Sequence, residues 1–153
     1  MTEWYSEYLD DLEMAETLRE RVDHFYRIYT KFCPEKITDI FITDLITDEG
    51  LREYESLWFF SDSYVMEALR FISEDTFDMA VYGNGIQRWE LRKQDYDLEE
   101  AGKGSRLHLE FRMGGDVRGI LKAARENCDH LRDVFAKHIL PNMKPDRRST
   151  ASS

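Results

Sequence analysis

A chain of 153 residues suits one domain with one core, and 42% hydrophobic and 13% aromatic residues give it the apolar material for a packed interior, which excludes a disordered chain. The net charge of −10 is unevenly spread: residues 1–100 carry 25 acidic and 10 basic side chains, residues 101–153 carry 6 acidic and 11 basic. That acidity argues against non-specific binding to nucleic acid or to an anionic membrane, both of which need basic surface, while the basic closing third leaves room for a local anion site.

Residues 3–33 read as one helix. Tyr5, Tyr8, Leu9, Leu12, Ala15, Leu18, Val22, Phe25, Tyr26, Tyr29 and Phe32 form one stripe at helical spacing. Pro34 ends it, because proline disfavours helix in the residue before it. The opposite face is acidic, with Asp10, Asp11, Glu13, Glu20 and Asp23.

From Lys36 to about Met113 the texture is that of strands. Ile37–Thr47 is rich in Ile, Thr and Phe. Asp48-Glu49-Gly50 is a turn signal. Tyr54–Phe60 ends in Leu57, Trp58, Phe59 and Phe60 without a polar break, as a strand buried on both faces would. Ser61-Asp62-Ser63 is a second turn. Tyr64–Ile72 has helix-favouring composition, but its place after a tight turn favours the return strand of a hairpin. Phe77–Tyr82 is a strand, Gly83-Asn84-Gly85 a tight reversal with positive-φ positions, and Ile86–Tyr96 a strand. Residues 99–105 read as a loop. Leu107, Leu109, Phe111 and Met113 alternate with His108, Glu110 and Arg112, the clearest half-buried strand in the chain.

Gly114-Gly115 breaks that strand. Residues 117–140 admit two readings: a single helix, or a short strand over 117–124 followed by a helix capped at Asn127. The expected fold is therefore α+β: a long N-terminal helix (1–34), an antiparallel meander of five to seven strands with a C-terminal amphipathic helix (35–141), and a small polar, disordered tail (142–153).

The segment Leu57-Trp58-Phe59-Phe60-Ser61-Asp62-Ser63-Tyr64-Val65-Met66, the strands Phe77–Trp89, and Leu107–Phe111 followed by a glycine pair, Val117–Ala124 and the helix Asn127–Leu140 together resemble the pleckstrin-homology and GRAM-like superfold over residues 37–140. The resemblance implies a partial barrel plugged at one end by the C-terminal helix. It also implies binding of a phosphoinositide, a peptide or a protein in place of catalysis. The basic residues that lipid-binding members carry in the first hairpin are missing: Thr43–Tyr54 holds Asp44, Asp48, Glu49 and Glu53 against Arg52 alone. Phosphoinositide binding is thus disfavoured.

Motifs for chemistry are sparse. Cys33 and Cys128, far apart and each in an apolar helical pattern, read as buried free thiols. His130 and His138 are eight residues apart on one helix, about 12 Å, too far to ligate one metal. No Gly-x-Ser-x-Gly elbow is present, and Gly102-Lys103-Gly104-Ser105 lacks the full phosphate-wrapping pattern. We therefore expect no cofactor, no metal and no catalysis.

Two candidate binding surfaces remain. One is the acidic helix face with Glu13, Glu20 and Asp23. The other is a basic patch of Arg106, His108 and Arg112, joined by Arg118, Lys122 and Arg125, which would take an acidic peptide or a phosphate group, or pair internally with the acidic helix. Trp58, Phe59, Phe60 and Trp89 read as core, with a ligand pocket as the alternative. The function expected is a non-enzymatic protein-interaction module with a protein partner, basic if it meets the acidic face, and with a homodimer left open. An acidic inhibitor, immunity protein or secretion chaperone covering a basic partner is the rival. No apolar window reaches the ~18–20 residues of a membrane span. The acidic N-terminus lacks the features of a signal peptide, so the cytoplasm is the expected location.

Overall fold

The computed structural model describes residues 4–46, 52–72, 78–98 and 102–143. The turn read at 48–50 and most of the tail lie outside the described residues. The elements run α1 (Ser6–Asp11), α2 (Glu16–Phe32), β1 (Ile37–Ile46), β2 (Arg52–Ser61), β3 (Tyr64–Leu69), β4 (Asp78–Gly83), β5 (Ile86–Leu98), β6 (Gly102–Met113), β7 (Arg118–Ala124) and α3 (Asn127–Val134). The strands form two antiparallel sheets, β1-β2-β3-β4 and β5-β6-β7, so the expected α+β class holds. Tyr64–Leu69 is a strand, and residues 117–140 divide into strand and helix. Among the described residues no helix is long and apolar enough to cross a membrane.

The first sheet is the middle layer, and β2 shows why. Leu57 and Phe59 point to one face and pack with Val22, Phe25 and Tyr29 of α2 and with Tyr5 and Leu9 of the N-terminal segment. Trp58 and Phe60 point to the other and pack with Leu109, Phe111, Leu121 and Val134 of the second sheet and α3. All four β2 residues are fully buried, which is what an unbroken apolar run demands. Cys33 and Cys128 are buried free thiols.

Four details depart from the sequence reading. The helix expected over 3–33 is two. Glu13 takes a left-handed φ of 54°, Met14 N–H donates to the Leu9 carbonyl and Glu13 N–H to that of Asp10. That is a Schellman ending with glutamate where glycine is usual, sealed by the buried pair Leu9 and Met14. Arg19 ties the break by bonding the Met14 carbonyl at 2.9 Å and Asp10 at 2.5 Å. Gly83–Gly85 closes no hairpin. It carries the chain from one sheet to the other and is pinned by Asn84, which donates to the carbonyls of Ser63 and Asp62. The loop read at 99–105 is shorter, since β6 already starts at Gly102.

The last departure lies beyond α3, where the helix widens into a π turn over Phe135–Ile139 and closes in a 3-10 turn at Leu140–Asn142. Pro141 has no N–H to offer and its ring crowds the carbonyl four residues back, so an α turn fails there. The wider turn brings both His138 and Ile139 inside.

Candidate functional site

Among the described residues the outer edge of β1 has no strand beside it over Asp39–Ile42, and side chains take the place of one. Ile42 N–H donates to the Tyr8 hydroxyl at 3.0 Å, and that hydroxyl donates to Asn127 Oδ1 at 2.7 Å. Asn127 Nδ2 donates to the Ile42 carbonyl and to Asp44 Oδ2, at 2.8 and 2.9 Å. Asp44 also accepts from Ala124 N–H, stitching β1 to β7. A His130 ring nitrogen lies 2.5 Å from the Ile40 carbonyl, and its ring stacks on Tyr8 at 3.9 Å. Asn127 and Asp44 are 1% and 3% exposed, so this network satisfies groups that water cannot reach. Removing one member would strand its partners at about 1–3 kcal/mol each.

Asp39 extends the network. Its carboxylate lies 3.1 Å from His138 Nε2 and 3.8 Å from His130 Nε2, and it accepts from Ile40 N–H. Burial pushes the Asp39 carboxyl up, but the His138 hydrogen bond, the charges of both histidines and the Ile40 N–H outweigh it and hold it below its ordinary value. The two histidines, far apart by helix geometry, thus reach the same carboxylate. His138 is only 6% exposed and stacks on Phe60, so the pair serves the fold.

This arrangement holds α1 and α3 apart across β1 and leaves a groove of about 600 Å³. Thr38, Asp39 and Ile40 floor it. Trp4, Tyr5 and Tyr8 form an aromatic wall, and Glu7, Asp11, Glu126, Asp129 and Asp133 line the rim against Lys137. The rim contains two like-charged i, i+4 pairs, Glu7–Asp11 and Asp129–Asp133, each on one face of its helix. Such pairs weaken an isolated helix, and their i, i+4 spacing is the one signal in the sequence that points to this rim.

The expected acidic trio is elsewhere. Glu13 occupies the left-handed joint, Glu20 is exposed on α2, and Asp23 accepts from the Tyr5 hydroxyl. The helices bring none of the three to the groove.

The expected basic residues lie together on the outer face of β6. There Arg92, His108 and Lys122 stand directly opposite one another across β5, β6 and β7. With Arg106, Asp44, Leu45 and Leu107 they line a pocket of about 230 Å³. Burial first, then the charges of Lys122 and Arg92, hold the His108 imidazole below its ordinary value, and Glu110 and Glu55 offset this only in part. Arg112 lies four residues beyond His108 on the same face, in a row with Arg88 and Arg118.

Internal pairing with the acidic helices is not what the patch shows. Lys122 pairs with Glu55 of β2 at 2.8 Å, and Arg118 with Glu110 of β6 at 3.4 Å. Glu55 reaches Lys122 because Glu55 and Ser56 together oppose Thr43, a bulge that turns two consecutive side chains to one face. Thr43 Oγ1 accepts the displaced Ser56 N–H at 2.8 Å. Of the aromatic cluster, Trp58, Phe59 and Phe60 are core, while Trp89 is 37% exposed and meets Phe135 edge to face.

No family model matches the chain, and neither a curated protein nor a solved structure matches it significantly.

Proposed function

We propose that this chain is a non-enzymatic protein-interaction module of PH-like architecture that grips a basic segment of a protein partner in the groove between α1 and α3. The observation that carries the reading is the groove itself. It is open, bounded by elements from both ends of the chain, aromatic on one wall and lined by six carboxylates against one lysine. A lysine or arginine stem would lie on Trp4 and Tyr5 while its head meets Glu7, Asp11 or Asp133. Concentrated negative charge in a cleft raises the encounter rate with a cationic partner.

The PH-like part of the reading draws support from the order of elements: four strands in one sheet, three in the next, then a helix at the open corner. The rival, an acidic inhibitor or chaperone covering a basic protein, uses the same groove. It differs in needing a much larger buried area than one segment supplies.

Fluorescence anisotropy of a labelled arginine-rich peptide tests the proposal. Saturable binding that weakens with added salt, and is lost in the double charge reversal Glu7→Lys and Asp133→Lys, is the expected result. Binding that survives both reversals would contradict it. The reversal Glu20→Lys, on the surface of α2, should leave affinity unchanged.

A further inference from the structure

We propose that the pocket formed by Arg92, Arg106, His108 and Lys122 binds the phosphate monoester group of a soluble molecule. The case begins with the sheet. Directly opposed like charges destabilise a sheet, and the Arg92–His108–Lys122 row sets up to three cationic groups side by side. Two rows along the same face, Arg88–Arg112–Arg118 shows how such crowding is otherwise managed: from the row between, Glu90 takes Arg88 and Glu110 takes Arg118. In the pocket row only Lys122 has a carboxylate, Glu55, and that one is swung in by the β2 bulge. Among the described residues the side chains of Arg92 and His108 make no hydrogen bond or ion pair with another side chain or the backbone.

The charged groups that face His108 are Arg92 of β5, Arg106 and Glu110 of β6, Lys122 of β7, Glu55 of β2 and Asp44 of β1. Asp44 is already engaged by Ala124 N–H and the Asn127 amide. Three cations, Arg92, Arg106 and Lys122, thus meet three carboxylates here, one of them turned to neutral N–H donors, in a chain with 31 acidic and 21 basic side chains. The volume of about 230 Å³ is below the roughly 300–1,000 Å³ of drug-sized sites, so it suits one ionic group and a short stem. A guanidinium fork suits a carboxylate and a phosphate alike, but donors from three strands, Arg92, Arg106 and Lys122, suit the three free oxygens of a phosphate monoester better than the two of a carboxylate. The source is a soluble molecule, since the Glu55 and Glu110 charges act on His108 from beside the pocket and would meet an anionic membrane unfavourably.

The site is independent of the groove between α1 and α3 and is tested separately. The probe is phenyl phosphate, titrated against the full chain while the His108 ring is followed by 1H–13C NMR. Saturable binding should raise the pH at which His108 titrates and raise the melting temperature. Arg92→Gln and Lys122→Gln should each weaken binding by about tenfold, the loss of one charge-assisted contact. Glu55→Gln, which frees Lys122, should tighten it. Arg118→Gln, two rows away along the face, should change nothing. Arg92→Gln should also melt no lower than the parent without ligand, which shows that its fold is intact.

Three results would overturn the proposal: no saturable binding, equal affinity in every variant, or equal affinity for benzoate. Recruitment to vesicles containing phosphatidylinositol phosphate, abolished by Lys122→Gln, would overturn the soluble source.

Discussion

Glu13 and Glu67 are residues whose conformation or environment sets a cost that can be measured. Glu13 holds φ at 54°, a region in which an L side chain crowds its own carbonyl. Glycine avoids that contact but gives up more chain entropy on folding, so Glu13→Gly should be neutral to stabilising by up to about 1 kcal/mol. A β-branched residue tolerates the region worst, and Glu13→Val should cost about 1–2 kcal/mol in urea unfolding. Equal stability of the two variants would contradict the left-handed joint.

Glu67 sits on the strand between Trp58 and Ala80. Burial, then the nearby Glu55 charge, pushes its carboxyl up to about 7. A raised acid binds its proton more tightly in the folded chain than in the unfolded one. Its contribution is therefore full below the ordinary carboxylate range, falls as pH rises toward 7, and is level above that. The urea midpoint of the parent should drop relative to Glu67→Gln between about pH 5 and pH 7. A constant difference across that window would show that Glu67 titrates normally.

At the scale of elements, the two helices that wall the groove each carry a like-charged pair across one turn. Glu7→Gln and Asp133→Gln should each stabilise the chain by about 0.2–0.5 kcal/mol while weakening the basic peptide, the behaviour of residues kept for binding and not for the fold. If both substitutions destabilise, these acids are structural. The strands were legible because their signals are local: alternation in Leu107–Met113 and the unbroken run Leu57–Phe60 each fix a face without reference to the rest of the chain. The α1–α2 joint was not, since Leu12, Ala15 and Leu18 keep helical spacing through it and no glycine or proline marks the left-handed residue. The crossover at Gly83–Gly85 carries a hairpin's residues but leads to a different sheet. Only tertiary pairing, with Asn84 fixed to the β2–β3 turn, distinguishes the two. The groove depends on residues more than a hundred positions apart, Glu7 and Asp133, meeting over β1. Each pair was visible in the sequence, but their convergence required the fold.

At the scale of the whole molecule, the division of charge along the chain becomes a division between surfaces. Arg88, Arg92, His108, Arg112, Arg118 and Lys122 of β5–β7 share the outer face of the second sheet, where glutamates of the sheets pair with Arg88, Arg118 and Lys122. The acids of α1 and α3 are left facing a groove. Because the two charged sites lie on separate elements, salt should weaken peptide and phosphate binding independently, and neither ligand should displace the other. The most direct test of the account is 1H–15N chemical-shift mapping of the full chain titrated with an arginine-rich peptide at low salt. The account predicts shifts concentrated on Glu7, Asp11, Thr38–Ile40 and Asp129–Lys137, vanishing in the Glu7→Lys and Asp133→Lys double variant. Shifts spread evenly over the acidic surface, or centred on Glu20 and Asp23 of α2, would contradict it.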